Sequence, residues 1–295
     1  MKAYFFIIIA TLCWGANTVF GLMAVGEVSP MLIVSARWLG ATLLVSLLMQ
    51  QQIRRDWVIL KQHWPFIVIM GSSGYAFFNG LYFVAAHSTS AINLGIIQGS
   101  IPIFVLLGTC VIFRTAITRL QIVGIFITLI GVFIITAKGD LSLLLALAFS
   151  KGDLLMLVAC FFYAVYTIGL KYCPKVSTWS LFAVMGATAF VISLPMSLIE
   201  ASLGYSQLPT PKGWFIIFMI TLLPSLLAQI AFIQGVKMIG PQRASVFVNL
   251  IPIFSALLAV LFLDEQFQLY HSIALTMVLG GIALSELSKV IYVPK

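Results

Sequence analysis

Ten apolar runs, each close to the length that crosses a bilayer, leave this chain few ways to fold. They cover residues 3–24, 30–50, 65–86, 90–113, 119–137, 152–172, 178–199, 213–236, 242–263 and 268–290. A membrane-spanning helix needs about 20 apolar residues. Inside lipid every backbone N–H and C=O must be paired within the protein, so only helices and closed barrels cross. Barrel strands alternate polar and apolar residues, and these runs do not. Composition agrees: 62% of the 295 residues are apolar and 8% are charged, against about 25% charged in soluble proteins. A soluble globular domain, a disordered chain and an outer-membrane barrel are excluded. The expected fold class is all-α: a polytopic membrane protein of ten transmembrane helices, with no length left for a separate soluble domain.

The breaks between runs carry local signals. Glu27, Ser29 and Pro30 separate the first two, and Arg54, Arg55, Asp56 and Lys61 separate the second and third. His87-Ser88-Thr89-Ser90 is a short polar turn that supplies N-caps. Gly240-Pro241 opens the ninth run, with proline in the first helical turn. Lys2 precedes the first run as in a signal peptide, but that run is too long for one and no A-x-A-like site ends it, so it reads as a retained helix. Leu141 to Phe149 is apolar yet too short to span; an interfacial helix and an apolar loop both fit it.

Orientation follows from the basic residues. Lys2, Arg54, Arg55, Lys61, Arg114, Arg119, Lys171, Lys175, Lys237, Arg243, Lys289 and Lys295 fall on one side, twelve in all, against three (Lys138, Lys151, Lys212) on the other. The positive-inside rule places both termini in the cytoplasm, in a multi-pass protein of the bacterial inner membrane. Glu27, Asp140, Asp153, Glu200, Asp264 and Glu265 lean the other way. Trp57, Trp64, Trp179, Trp214, Tyr172, Tyr205 and Tyr270 fall near the expected interfaces, as aromatic belts do. The net charge of +8 is spread over span ends, which is a topology signal and no nucleic-acid surface. Cys13, Cys110, Cys160 and Cys173 have no C-x-x-C spacing and read as small buried hydrophobes.

The chain also repeats itself at an offset of about 150. Ile101-Pro102-Ile103-Phe104 recurs as Ile251-Pro252-Ile253-Phe254; Tyr82 aligns with Phe232, Phe113 with Leu263 and Gly131 with Gly281. Trp14-Gly15-Ala16 aligns with Tyr163-Ala164-Val165, one residue out of step. Five spans per half is an odd number, so the second half enters the membrane inverted. The expected division is a first repeat over 1–138, a linker over 139–151 and a second repeat over 152–295. Inverted repeats around a central cavity are a secondary-transporter arrangement, with the substrate site near midplane.

The paired motifs resemble the drug/metabolite transporter superfamily, EamA type. They are Trp14-Gly15-Ala16-Asn17, Arg37-Trp38, and Asn93 through Pro102 in the first half. In the second they are Gly152-Asp153-Leu154-Leu155 and Ala244 through Pro252, followed by Glu265. The resemblance covers nearly the whole chain. It implies a cavity lined by the first, third, fourth, sixth, eighth and ninth spans, alternating access and, for many bacterial members, export of amino acids or other metabolites. Arg114-Thr115 departs from it, standing where an acidic residue is usual.

Arg37 is the one charged residue well inside a span, and intramembrane charge marks a functional candidate. Snorkelling outward, or pairing with backbone carbonyls, is the structural reading; attracting a substrate carboxylate or forming a gate contact is the functional one. Pro102 and Pro252 lie inside the fourth and ninth spans and free the carbonyls of Gln98 and Val248, which makes them hinge or gate candidates. Asn93, Gln98, Ser245 and Asn249 lie beside them. Asn17, Asn79, Tyr82, Tyr163, Tyr166 and Gln229 fall on other helices that the resemblance assigns to the cavity, with Trp14, Tyr82 and Tyr163 also able to form apolar walls. Interhelical hydrogen bonds and ordinary packing are the competing readings.

No Asp or Glu lies at midplane, and His63, His87 and His271 sit at span ends. There is no H-E-x-x-H, G-x-S-x-G or phosphate-binding Gly loop, so no catalytic group, metal ligand or cofactor is expected. The reading is a secondary transporter of small organic metabolites, foremost amino acids moving outward without evident ion coupling. Proton antiport is the alternative; a channel, a receptor and a lipid-modifying enzyme rank below it. Expected partners are the substrate and the lipid bilayer, with the protein a monomer or weak homodimer.

Overall fold

The computed structural model describes residues 1–86, 88–89, 91–140, 142, 150–262, 266–287 and 291–292, with side chains omitted at 22, 86, 91–93 and 291–292. Of the apolar segment 141–149 only Ser142 is described, and the acidic pair Asp264 and Glu265 falls outside the described set. Among the described residues ten helices are long and apolar enough to cross a membrane: Lys2–Gly21, Pro30–Leu48, Trp64–Ala85, Leu94–Phe113, Arg119–Thr136, Lys151–Tyr172, Thr178–Ser202, Pro211–Ile239, Pro241–Phe262 and Leu269–Leu287. The protein is thus a polytopic all-α membrane protein.

Local chemistry explains where the spans begin. Thr118 and Gln121 form a reciprocal capping box at the fifth, and Ser150 and Asp153 form another at the sixth. Thr210 caps the eighth by accepting from the Gly213 amide at 3.0 Å. Only Gly240 separates the eighth span from the ninth, and its φ of 82° is a conformation that suits glycine. Pro241 then opens the ninth helix, where its missing N–H does no harm.

Two expectations need correction. The charged stretch between the second and third spans is a helix, Gln50–Gln62, with only Leu60 buried. It lacks Gly and Pro and is rich in good helix formers. Asp56 ties it to the bundle by accepting from the Ser177 amide at 3.0 Å. Among the cysteines, Cys13 and Cys160 are buried, but Cys110 and Cys173 are only partly so. Ser245, Tyr166 and the prolines are taken up with the site.

The fifth span packs on the tenth, and the second on the seventh; the first packs on the eighth and ninth, and the sixth on the third and fourth. Exchanging the first five spans with the last five, in order, turns every one of these pairings into another or into itself. The irregular places match too. The third and eighth spans each widen into a π-helical stretch, at Ser72–Phe77 and Thr221–Leu227. The fourth is interrupted after Gln98 and restarts at Ile101, while the ninth tightens over Phe247–Leu250 and restarts at Ile251.

Connections alternate between two faces. On the face bearing the N-terminus, Thr115 and Ala116 pair antiparallel with Tyr292 and Ile291. Tyr4, Arg243 and Glu286 also meet there: Tyr4 donates to Glu286 Oε2 at 2.6 Å, and Arg243 Nε donates to both carboxylate oxygens at 3.0 and 3.1 Å. On the opposite face, the Thr210 amide donates to the Glu27 carbonyl at 3.0 Å, and Glu27 pairs with Lys212 at 3.3 Å. The Thr210 hydroxyl and then Lys212 hold the Glu27 carboxyl below its ordinary value, so it is charged at neutral pH.

Candidate functional site

The site is built on the helix irregularities. Pro224 has no N–H, so the carbonyl of Ile220 loses its helical donor. Ser225 compensates: its hydroxyl donates to that carbonyl at 2.8 Å. The same hydroxyl accepts from Arg37 Nε at 2.7 Å. The loosened turn also leaves the Pro224 carbonyl available, and Trp14 Nε1 donates to it at 3.2 Å. A proline, through the π-helical turn around it, therefore positions both an arginine and a tryptophan from other spans. π-Bulges recur at functional sites for this reason.

Arg37 is 4% exposed and turned into the bundle. Its second hydrogen bond runs from Nη1 to Asn17 Oδ1 at 3.4 Å. It neither snorkels nor binds backbone carbonyls, and both partners are neutral. Among the described residues no carboxylate pairs with it.

Arg37 lines a central cavity of about 80 Å³. Trp14, Asn17, Asn79, Tyr82, Gln98, Tyr163 and Gln229 line the same space, joined by Thr18, Phe78, Phe83, Ile101, Val248 and Ile251. Polar and aromatic groups thus face one another with no carboxylate among the described lining. The cavity shares Asn17, Arg37 and Phe83 with a recess of about 260 Å³. That recess is lined by Ser29, Tyr205 and Gln207, from connections on the face opposite the N-terminus. A second recess of about 290 Å³ shares Tyr82, Gln98 and Val248 and carries Asn249, Pro252 and His271. The two recesses therefore adjoin the central cavity across shared side chains, one of them from the opposite face.

An aromatic floor packs against the central cavity. Trp14 lies 5.1 Å from Phe232 and 6.0 Å from Tyr163 between centroids, and Phe78 lies 4.9 Å from Tyr163. Tyr166 supports this floor from behind: it is fully buried, does not line the cavity, and donates to Gln229 Oε1 at 3.2 Å. Its ring packs on Gly74, where a Cβ would come within 2.3 Å of Cγ, so the third and sixth spans approach this closely only through glycine. Tyr163 is 4% exposed and its hydroxyl has no partner among the described residues. In a buried site such a hydroxyl is a waiting donor or acceptor.

Other expected residues sit elsewhere. Ser245 is fully buried and donates to the Gln242 carbonyl of its own helix at 3.1 Å. It lies outside the central cavity, two residues before the tight stretch Phe247–Leu250. Asn249 faces the second recess and donates to Thr128 at 2.8 Å. The Asn93 side chain and His87 lie outside the described residues. Ser225 was not anticipated, and Pro224 inside the eighth run was the signal that could have revealed it.

Pro102 and Pro252 lie one residue after each helix restart, not in an unbroken helix. Ile103 donates to the Ser100 carbonyl at 2.9 Å across the first restart. Alanine at either site adds a donor that lets the two half-helices merge. The expected outcome is a fall in transport of about tenfold, about 1.4 kcal/mol in the limiting barrier, with Tm moved by at most about 4 °C. Wild-type rates in both variants would assign the prolines to packing.

A ten-helix bundle with an intramembrane cation in a polar, aromatic central cavity has the architecture of a membrane transporter. The chain belongs to the EamA-like transporter family, whose profile matches residues 1–137 and again 150–287. It is 26% identical to the uncharacterized transporter YyaM of Bacillus subtilis strain 168, over 95% of this chain and 92% of that one. It is 24% identical to the uncharacterized transporter YetK of the same organism, over 98% and 88%. An uncharacterized transporter of Archaeoglobus fulgidus is also 24% identical, over 96% and 97%. A solved crystal structure superposes with a TM-score of 0.81 over 97% of this chain and 96% of its own, at 18% identity, which bears on the fold alone.

Proposed function

We propose that this protein moves small carboxylate-bearing metabolites, amino acids foremost, out of the cell by alternating access without a coupled ion. The observation that carries this reading is Arg37, a buried cation on the cavity wall whose partners, Ser225 and Asn17, are both neutral. A substrate carboxylate supplies the missing charge. The amides of Asn17, Asn79, Gln98 and Gln229 offer neutral hydrogen bonds to the rest of a small polar solute.

Alternating access rests on the exchange symmetry of the packing and on the two matched π-helical stretches. The units proposed are residues 1–138 and 152–295, inverted about the membrane plane, with 139–151 as linker. With both termini cytoplasmic in a bacterial inner membrane, the recess that adjoins the cavity from the opposite face lies toward the outside. The transport unit is one chain.

Counterflow in proteoliposomes tests the reading. Vesicles loaded with unlabelled amino acids are diluted into trace labelled solute. A carrier gives transient, saturable accumulation of at least one member of the panel. Accumulation that never exceeds that of empty vesicles, for amino acids and for simple carboxylates, would overturn the proposal.

A further inference from the structure

We infer that the transported solute carries net negative charge, and that the membrane potential drives its export. The inference rests on the transport reading above and narrows its substrates to solutes of net negative charge, acidic amino acids among them.

Electrostatic accounting along the path leads there. At the centre, Arg37 is a cation with neutral partners only. Two neutral hydrogen bonds and the Trp38 ring, 5.4 Å from the guanidinium carbon, offset only part of the cost of burying that charge, and a bound anion removes the remainder. A zwitterion would bring its own ammonium into the same small space. No described lining residue of the central cavity is acidic, so that ammonium would have no carboxylate and would lie near the guanidinium.

The N-terminal face repeats the sign. A recess of about 580 Å³ opens there between the ends of the fourth, sixth and eighth spans and the start of the ninth. Lys171, Lys175 and Lys237 line it, and no acidic residue is among its described lining. Gln242 also lines it, 7% exposed, and its amide nitrogen has no acceptor among the described residues. Positive-inside topology accounts for lysines on this face. It does not require three of them around one hollow of the N-terminal face, where they raise the local concentration of anions.

The consequence is energetic. The described lining of the central cavity holds no carboxylate or histidine to carry a proton back, and His271 in the adjoining recess accepts from the Gln268 amide at 3.0 Å, so the solute's charge is the charge that moves. An inside-negative potential of about 100 mV then sustains an outward concentration ratio of about fifty-fold for a monoanion. Export needs no partner ion.

The test uses the full-length protein in proteoliposomes, with valinomycin and potassium gradients setting the potential. Two pairs of probes change the charge: glutamate against glutamine, which are nearly isosteric, and N-acetyl-leucine against leucine, which differ by one acetyl group. The expected result is efflux of at least one anionic member about tenfold faster than its zwitterionic partner, accelerated by inside-negative and slowed by inside-positive potential. Zwitterions that exchange at least as fast as the anions, with flux indifferent to potential, would overturn the inference and leave the transport reading standing. No counterflow with any probe or with the wider panel would overturn both. Flux that follows an imposed pH gradient at zero potential would also overturn the inference, in favour of proton coupling.

Discussion

Arg37→Leu removes transport while leaving the protein at least as stable as the wild type. A hydrogen-bonded charge contributes about 1.5–3 kcal/mol to holding its partner, so counterflow should fall about 10- to 100-fold. Stability moves the other way, because replacing a buried charge by an apolar group of similar size is commonly neutral or stabilising by about 1–4 kcal/mol. Ser225 and Asn17 lose only one neutral-acceptor contact each. Counterflow and detergent Tm, measured on the same preparation, separate the two effects. A variant that transports normally but melts earlier would make Arg37 a structural pin between the first, second and eighth spans. Ser225→Ala should show a milder loss, since the guanidinium keeps its charge and loses its orientation.

Glu286→Gln opens the face that bears the N-terminus. The carboxylate is held by Arg243 and by the Tyr4 hydroxyl, which join the first, ninth and tenth spans. Its side chain is 17% exposed and that of Arg243 is 32% exposed. The pair is screened by solvent, and a discounted loss of about 1–1.5 kcal/mol is appropriate. That shifts a two-state conformational balance about tenfold. Ala244→Cys, introduced without the four native cysteines, reports on it, because Ala244 is fully buried beside this cluster. Labelling by an impermeant thiol reagent from that face should rise about tenfold in Glu286→Gln and fall back when the charges are exchanged as R243E/E286R. Unchanged labelling would make the cluster a packing contact with no part in gating.

The sequence signals differ in kind, and so did their reach. The spans were legible because each is a local property: a run of apolar residues either can or cannot leave water. The helix over Gln50–Gln62 was missed because its charges were read as a break, although charged residues are sound helix formers when neither Gly nor Pro intervenes. Most of the cavity candidates, from Trp14 and Asn17 through Gln229, line one space. Tyr166 and Ser245 do not: one is a support behind the floor, and the other bonds its own helix.

The amino-acid sequence by itself determined that this chain lives in a membrane, how many times it can cross, and that one arginine would have to be accommodated inside. Those are sums over neighbouring residues. Only the tertiary structure decided what the arginine meets. Helices that are apolar all round carry little sequence record of which side faces inward, so the rotation of each span is set by packing against non-adjacent spans. The partnership of Arg37 with Ser225, 188 positions away, depends on the second span docking beside the π-helical turn at Pro224. No window of sequence contains that distance, because it exists only once the spans have packed together.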